Sequence, residues 1–138
     1  MKLRIKGNSL RLRMSRSEVA RVLAGESLEE TIHFTPEAGA SFTYALVPES
    51  SVRMPTVQYA ENRLTILIPA DQANVWAATD QVGIIEDISL GGCGSLTILI
   101  EKDFACLDRS EEDNADTFPH PISGPQCQPY AAPQGFKS

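Results

Sequence analysis

The sequence predicts an α+β protein with one antiparallel sheet of about eight strands and two short helices. Three observations predict this fold class. Apolar and polar residues alternate with a period of two over eight stretches, two stretches between them have helical spacing, and the order hairpin, helix, hairpin occurs twice. Eight strands are enough for such a sheet to curl toward an open barrel. With 138 residues, 42% of them apolar, the chain is long enough to bury a hydrophobic core.

The first hairpin is predicted in the opening stretch MKLRIKGNSLRLRM. Leu3 and Ile5 alternate with basic residues before the turn GNS, and Leu10, Leu12 and Met14 do so after it. The apolar residues are therefore expected to share one face of the hairpin and the basic residues the opposite face.

A short helix is expected to begin at Arg16. Ser15 stands at the N-cap position, and Glu18 follows at the spacing of a capping box. Gly25 stands where a left-handed C-terminal cap is needed. Two more strands are predicted in the stretches LEETIHF and SFTYALV, which complete the first half of the chain.

The second half has the same order of elements. A hairpin is predicted to turn at Glu61 and Asn62, a helix to begin at about Ala70, and two strands to follow in QVGIIED and GSLTILIEK. Sliding the sequence by 54 positions places Asn8 on Asn62 and Val22 on Trp76. This offset favours a duplicated hairpin-helix-hairpin unit with halves at about residues 1–50 and 51–104.

Residues 1–117 are expected to form a single pseudo-duplicated α+β domain. Beyond them, five of the nine prolines fall from Pro119 onward. Proline cannot donate a backbone hydrogen bond to a strand ladder, so residues 118–138 are expected to be an irregular or disordered tail.

Basic residues are concentrated at the start of an acidic chain. Residues 1–21 hold seven of the 12 Lys and Arg and a single Glu, a balance of +6, so the rest of the chain carries −12. The alternation places five cations on one face of the first hairpin, and we call them the basic face: Lys2, Arg4, Lys6, Arg11 and Arg13. Such a face suits phosphate groups or an acidic surface. We predict a binding protein for an anionic small molecule or an acidic protein partner.

Two other interpretations of the basic face stay open. Nucleic acid is a less favoured ligand, because the −12 on the remaining chain repels a duplex. Alternatively, the face is solvated and paired across the sheet with carboxylates such as Glu29 and Glu30. The sequence does not decide whether the face lines a cavity, and it leaves the oligomeric state open.

No cofactor or metal is predicted. Cys93, Cys106, Cys127 and His120 include no Cys-x-x-Cys pair, which favours free thiols over a zinc site. Three cysteines in a chain that needs no disulfide are typical of a reducing compartment. The sequence has no signal peptide pattern and no apolar run near the roughly 20 residues that span a bilayer. We therefore expect a cytoplasmic protein that does not bind membranes.

Residues 2–34, which include the stretch IKGNSLRLRMSRSEVARVLAG, resemble the swapped-hairpin family of bacterial transition-state regulators and antitoxins. The similarity covers the Gly-Asn-Ser turn and the start of the helix, and it departs at Met14 to Arg16, where that family has an Ile-Pro step. This resemblance implies a dimer that presents basic hairpins to DNA.

The order of elements also resembles the triphosphate tunnel fold, which lines a barrel with basic side chains to hold polyphosphate. This resemblance implies a metal-dependent phosphohydrolase, for which the candidate metal ligands are Glu30, Glu86, Glu101 and Asp103. The chain departs from that family where it carries an early Glu-x-Glu-x-Lys strand, because Lys2, Arg4 and Lys6 stand there.

The whole chain, from MKLRIKGNSLRLR to EKDFACL, resembles small bacterial proteins classed as a domain of unknown function. That resemblance implies a family but no activity. The favoured prediction is therefore the binding role of the basic face, with enzymatic activity left open.

Overall fold

The computed structural model describes residues 1–104 and 116–118. The first half of the chain contains these elements: β1 (Lys2–Lys6), β2 (Ser9–Met14), α1 (Arg16–Leu23), β3 (Leu28–His33) and β4 (Ser41–Glu49). The second half contains the following: β5 (Thr56–Ala60), β6 (Arg63–Pro69), α2 (Ala70–Ala78), β7 (Gly83–Ser89), a 3₁₀ turn (Gly91–Cys93) and β8 (Ser95–Lys102). The described chain is therefore α+β, and its strands and helices lie where the periodicity predicts them.

The chain divides into two compact units, each with its own sheet. The middle unit comprises Met1 and residues 18–82, and its strand order is β3-β4-β6-β5. The flanking unit comprises residues 2–17 and the described residues from Gly83 onward, and its strand order is β1-β2-β8-β7. Each sheet thus combines one hairpin from each half of the chain.

The predicted number of eight strands is confirmed in the described chain, but their arrangement in one antiparallel sheet was wrong. The described strands form two four-stranded mixed sheets, and neither closes into a barrel. Within each sheet the two hairpins are antiparallel, but they join through a parallel pair of central strands, β2 with β8 and β4 with β6. Periodicity predicts a strand and its buried face, but it carries no information about which strand lies beside it.

The two halves repeat in register as well as in order. The backbone N–H of Thr97 donates to the carbonyl of Asn8, and that of Thr43 donates to the carbonyl of Asn62. Both threonines begin their parallel pairings there, Thr97 with Ser9 and Thr43 with Arg63. The turn asparagine of each hairpin therefore anchors the parallel junction of its sheet.

In the flanking unit, buried side chains line the sheet face opposite the basic residues. They come from the two central strands: Leu10, Leu12, Met14, Ile98 and Ile100. In the middle unit, α2 packs against β4 and β6 and buries Trp76 completely. The indole Nε1–H of Trp76 donates to the carbonyl of Val82 at 3.1 Å. The aromatic ring thus fills the core without leaving its polar atom unsatisfied.

Helix α1 begins at Arg16 and ends before Gly25, as predicted. Gly25 has a φ of +87°, and the N–H of Glu26 donates to the carbonyl of Arg21, which is the hydrogen bond of a glycine C-cap. At the other end, the backbone N–H of Ser17 donates to the Asp116 carboxylate at 3.0 Å. Asp116 adds a cap that sequence spacing did not predict, because it lies 99 residues further along the chain.

The β1-β2 and β5-β6 hairpins turn through two-residue loops. Gly7 has a φ of +56°, whereas Glu61 and Asn62 have φ values of +54° and +63°. Two positive φ values are the pattern of a type I′ turn, and a glycine with positive φ at the first position is the pattern of a type II′ turn. The predicted turn at Glu61 and Asn62 is confirmed.

No helix in the described part of the chain has the length and apolar character needed to cross a bilayer. The predicted tail at residues 118–138 lies outside the described residues, apart from Phe118.

Candidate anion-binding face

The five predicted cations lie on one face of the flanking sheet. In the antiparallel pairing of β1 with β2, Lys2 lies opposite Arg13, Arg4 opposite Arg11, and Lys6 opposite Ser9. Residues that pair directly across two strands have side chains on the same face. Because the apolar residues of β2 are buried on the other face, the basic residues are directed away from the core.

Two carboxylates organise one end of the basic face. One Glu101 oxygen accepts hydrogen bonds from Nε of Arg11 at 2.6 Å and from Nε of Arg13 at 2.8 Å. Asp103 accepts from Nζ of Lys2 at 3.3 Å and lies 4.0 Å from Nη1 of Arg13. The Arg11 and Glu101 side chains are only 15% and 13% exposed, so this ion pair is largely shielded from water.

The expected carboxylate partners of the basic face, Glu29 and Glu30, were the wrong ones. Glu29 accepts a hydrogen bond from Arg63 at 2.7 Å, and Glu30 accepts one from the Met1 ammonium at 2.8 Å. Both belong to the middle unit. The error has a topological cause, because β3 and β1 belong to different sheets and β8 supplies the partners instead.

A shallow depression lies at the turn end of the basic face. It is open to solvent on one side, and we call it the turn pocket; its lining is Arg4, Lys6, Ser9 and Arg11. The hydroxyl of Ser9 donates to the carbonyl of Lys6 at 2.7 Å, which holds the pocket wall against the turn. Lys6 is exposed and forms no ion pair with any residue that the structure describes.

The corresponding hairpin of the middle unit carries no such charge. At the offset of 54 residues, the five cations correspond to Thr56, Gln58, Ala60, Thr65 and Leu67. This hairpin has the same strand pairing and the same two-residue turn length. The basic face is therefore a property of one sheet and is not required by the fold.

The candidate metal ligands of the phosphohydrolase interpretation do not converge. Glu30 belongs to the middle unit, and Glu86 lies on the face of β7 opposite to that of Glu101, because it pairs with buried Ile98. Among the described residues, no group of three or more His, Cys, Asp or Glu is placed to hold a metal ion. Cys93 is exposed. The other predicted candidates, Cys106, His120 and Cys127, lie outside the described residues.

The amino terminus forms a second charged cluster, which the sequence pattern did not predict. The Met1 ammonium contacts the carboxylates of Glu18 and Glu30, and the Tyr44 hydroxyl donates to the Met1 carbonyl at 3.1 Å. Burial lowers the pKa of this ammonium, but its hydrogen bonds to the two carboxylates outweigh burial and raise the pKa above its usual value. Burial and the same carboxylates raise the pKa of Tyr44. The Glu18 carboxylate, predicted for a capping box, thus contacts the amino terminus.

Comparison with known proteins gives a family without an assigned activity. No curated protein and no solved structure matches the chain. The profile of one protein family matches residues 1–122, which confirms the predicted resemblance to a domain of unknown function. The chain belongs to this family of unknown function, DUF7009.

Proposed function

We propose that this protein binds an anionic, phosphate-containing ligand at the basic face, with the anion held in the turn pocket. The observation that carries the proposal is the lining of that pocket by Arg4, Lys6 and Arg11 together with the Ser9 hydroxyl. Guanidinium groups match the geometry of phosphate oxygens, and an ammonium adds a point charge. Glu101 supports the site, because it holds the Arg11 side chain in a half-buried position.

Repulsion between the cations of the basic face also supports an anion site. Arg4 lies directly opposite Arg11, and like charges at directly opposed positions destabilise a sheet. Glu101 offsets part of this positive charge at Arg11 and Arg13, and Asp103 offsets it at Lys2. An anion in the turn pocket would add negative charge beside Arg4, Lys6 and Arg11, so its binding would also stabilise the hairpin.

Two competing functions have less support. The phosphohydrolase interpretation requires a closed barrel and convergent carboxylates, and the described strands and acidic residues provide neither. Duplex DNA requires an extended cationic surface, whereas carboxylates neutralise one end of this face and the chain is acidic overall. We therefore favour a compact anionic group over a nucleic acid.

The test is a thermal-shift titration of the full chain with inorganic phosphate, tripolyphosphate and duplex DNA at two salt concentrations. We expect saturable stabilisation by the small phosphates, weakened by added salt. The double variant Arg4→Gln, Lys6→Gln should weaken it at least about tenfold, since each lost charge-assisted hydrogen bond contributes about 1.5–3 kcal/mol.

The variant Arg53→Gln provides the matched control, because it removes one exposed charge from a residue that does not line the turn pocket. Stabilisation that is equal in the wild type and the double variant would refute the proposed site. Stabilisation by DNA alone would instead support the regulator interpretation.

A further inference from the structure

The basic face continues across the sheet into an apolar strip. Arg11 on β2 pairs with Leu99 on β8, and Leu99 pairs with Ile85 on β7. One row across the four strands therefore contains Arg4, Arg11, Leu99 and Ile85, all on the same face. Ile85 is 63% exposed, and together with Leu99 it forms an apolar strip on the same sheet face as the cations.

Carboxylates border this strip on both sides. In the row toward the strand ends, Arg13 pairs with Glu101. In the row toward the turn, Thr97 pairs with Asp87, and its hydroxyl donates to the Asp87 carboxylate at 2.5 Å. An anion that extended from the turn pocket across β8 and β7 would meet negative charge on either side, whereas an apolar group would meet Leu99 and Ile85.

The fold itself does not require this arrangement. The equivalent row in the middle sheet contains Gln58, Thr65, Ala45 and Glu29, as its strand pairings show. At the position of exposed Ile85 the middle sheet has Glu29, which forms an ion pair with Arg63. Strand pairing therefore does not impose an aliphatic residue at the row position of Ile85, since the middle sheet has a glutamate there.

We propose that the ligand is a soluble phosphate monoester with an apolar substituent. The phosphate lies in the turn pocket, and the substituent packs on Leu99 and Ile85. This inference rests on the proposed function and specifies its ligand class. The spacing agrees with a small molecule, because β2 and β7 are two strand intervals apart, or about 10 Å.

The test compares inorganic phosphate with n-hexyl phosphate by calorimetric titration of the full chain. We expect hexyl phosphate to bind about tenfold more tightly, because partial burial of a few methylene groups suffices for that factor. The variant Ile85→Thr keeps a β-branched residue at an exposed strand position and should preserve the fold. It should reduce the affinity for hexyl phosphate toward that for inorganic phosphate and leave the latter unchanged.

The matched control is Val75→Thr, which alters an exposed aliphatic residue on α2 and should change neither affinity. Equal affinities for the two phosphates in the wild type would overturn the apolar strip while leaving the anion site intact. Failure of both phosphates to bind would overturn the proposed function as well. Binding only to vesicles that contain phosphatidic acid would overturn the assignment to a soluble ligand.

Discussion

At the scale of single residues, Glu101 determines how the basic face is arranged. One of its oxygens accepts hydrogen bonds from the Nε atoms of Arg11 and Arg13, and its side chain is only 13% exposed. A carboxylate shared by two guanidinium groups in a partly shielded site fixes both long side chains. Because Arg11 also lines the turn pocket, Glu101 helps to position one of the pocket's side chains.

Replacing Glu101 by Gln should lower the free energy of unfolding by about 1–3 kcal/mol, because hydrogen bonds to charged groups are lost from two arginines. Chemical denaturation of the wild type and variant measures this difference. The control Glu29→Gln removes the exposed partner of Arg63 and should cost less than about 1 kcal/mol. Equal losses in the two variants would show that Glu101 has no special structural role.

Asp116 gives a residue-scale prediction of pH dependence. Hydrogen bonds from Ser17 hold the pKa of the Asp116 carboxyl below its ordinary value of 3.8. A group whose pKa is lower in the folded state stabilises the fold above its unfolded pKa, and this contribution disappears as the pH falls through the folded pKa. As the pH falls below about 4, the free energy of unfolding of the Asp116→Asn variant should therefore decrease less than that of the wild type.

The measurement is thermal unfolding of both proteins from pH 7 down to pH 2. At neutral pH the variant should be less stable by at most about 1 kcal/mol, since the cap is exposed to solvent. Identical acid profiles would show that the Ser17 contact does not persist in solution.

At the scale of elements, the turns of the β1-β2 and β5-β6 hairpins differ at their first residue, and that residue can be exchanged between them. Glu61 occupies the position that Gly7 holds in the first turn and has a left-handed φ of +54°. A residue with a Cβ in this left-handed region raises the free energy of the folded state by about 1–2 kcal/mol. Glycine avoids that strain, but its greater backbone entropy in the unfolded chain offsets roughly half of the gain. Glu61→Gly should therefore stabilise the protein by about 0.5–1 kcal/mol.

The reciprocal variant Gly7→Glu should destabilise it by about 0.5–1 kcal/mol for the same backbone reason, although a Cβ at Gly7 meets no neighbouring atom. Differential scanning calorimetry measures both effects. Shifts of the same sign in the two variants would contradict this account of the turns.

The positions of helices and strands were predicted well from the sequence, but the pairing between strands was not. The start of α1 at Arg16, the turn at Glu61 and the start of α2 at Ala70 all follow from local spacing and turn chemistry. The pairing of β2 with β8 is non-local, and β6 has an alternating burial pattern similar to theirs, so the pattern did not select β8 as the partner of β2. For the same reason the basic face was predicted, but its contacts with Glu101 and Asp103 were not.

At the scale of the whole molecule, each sheet depends on both halves of the chain. The hairpin β1-β2 pairs with β7-β8, and β3-β4 pairs with β5-β6. A fragment of residues 1–52 contains two hairpins that lack the strands with which they form sheets, and isolated hairpins are only marginally stable. We expect this fragment to be unfolded as a monomer.

Mixing that fragment with residues 53–138 should restore the strand content, as measured by circular dichroism and sedimentation. A fragment that folds alone as a monomer would contradict the interleaved pairing. The prediction depends on topology and not on any single contact, so it tests the fold as a whole.

The central claim is that the anion site lies on one hairpin of the molecule. The measurement that tests it most directly is an NMR titration of the ¹⁵N-labelled full chain with inorganic phosphate. The account predicts saturable shifts concentrated at Arg4, Lys6, Ser9 and Arg11, and none at the β5-β6 hairpin of the middle unit, which lacks the five cations. Shifts spread equally over both hairpins, or no saturable shift at all, would contradict it.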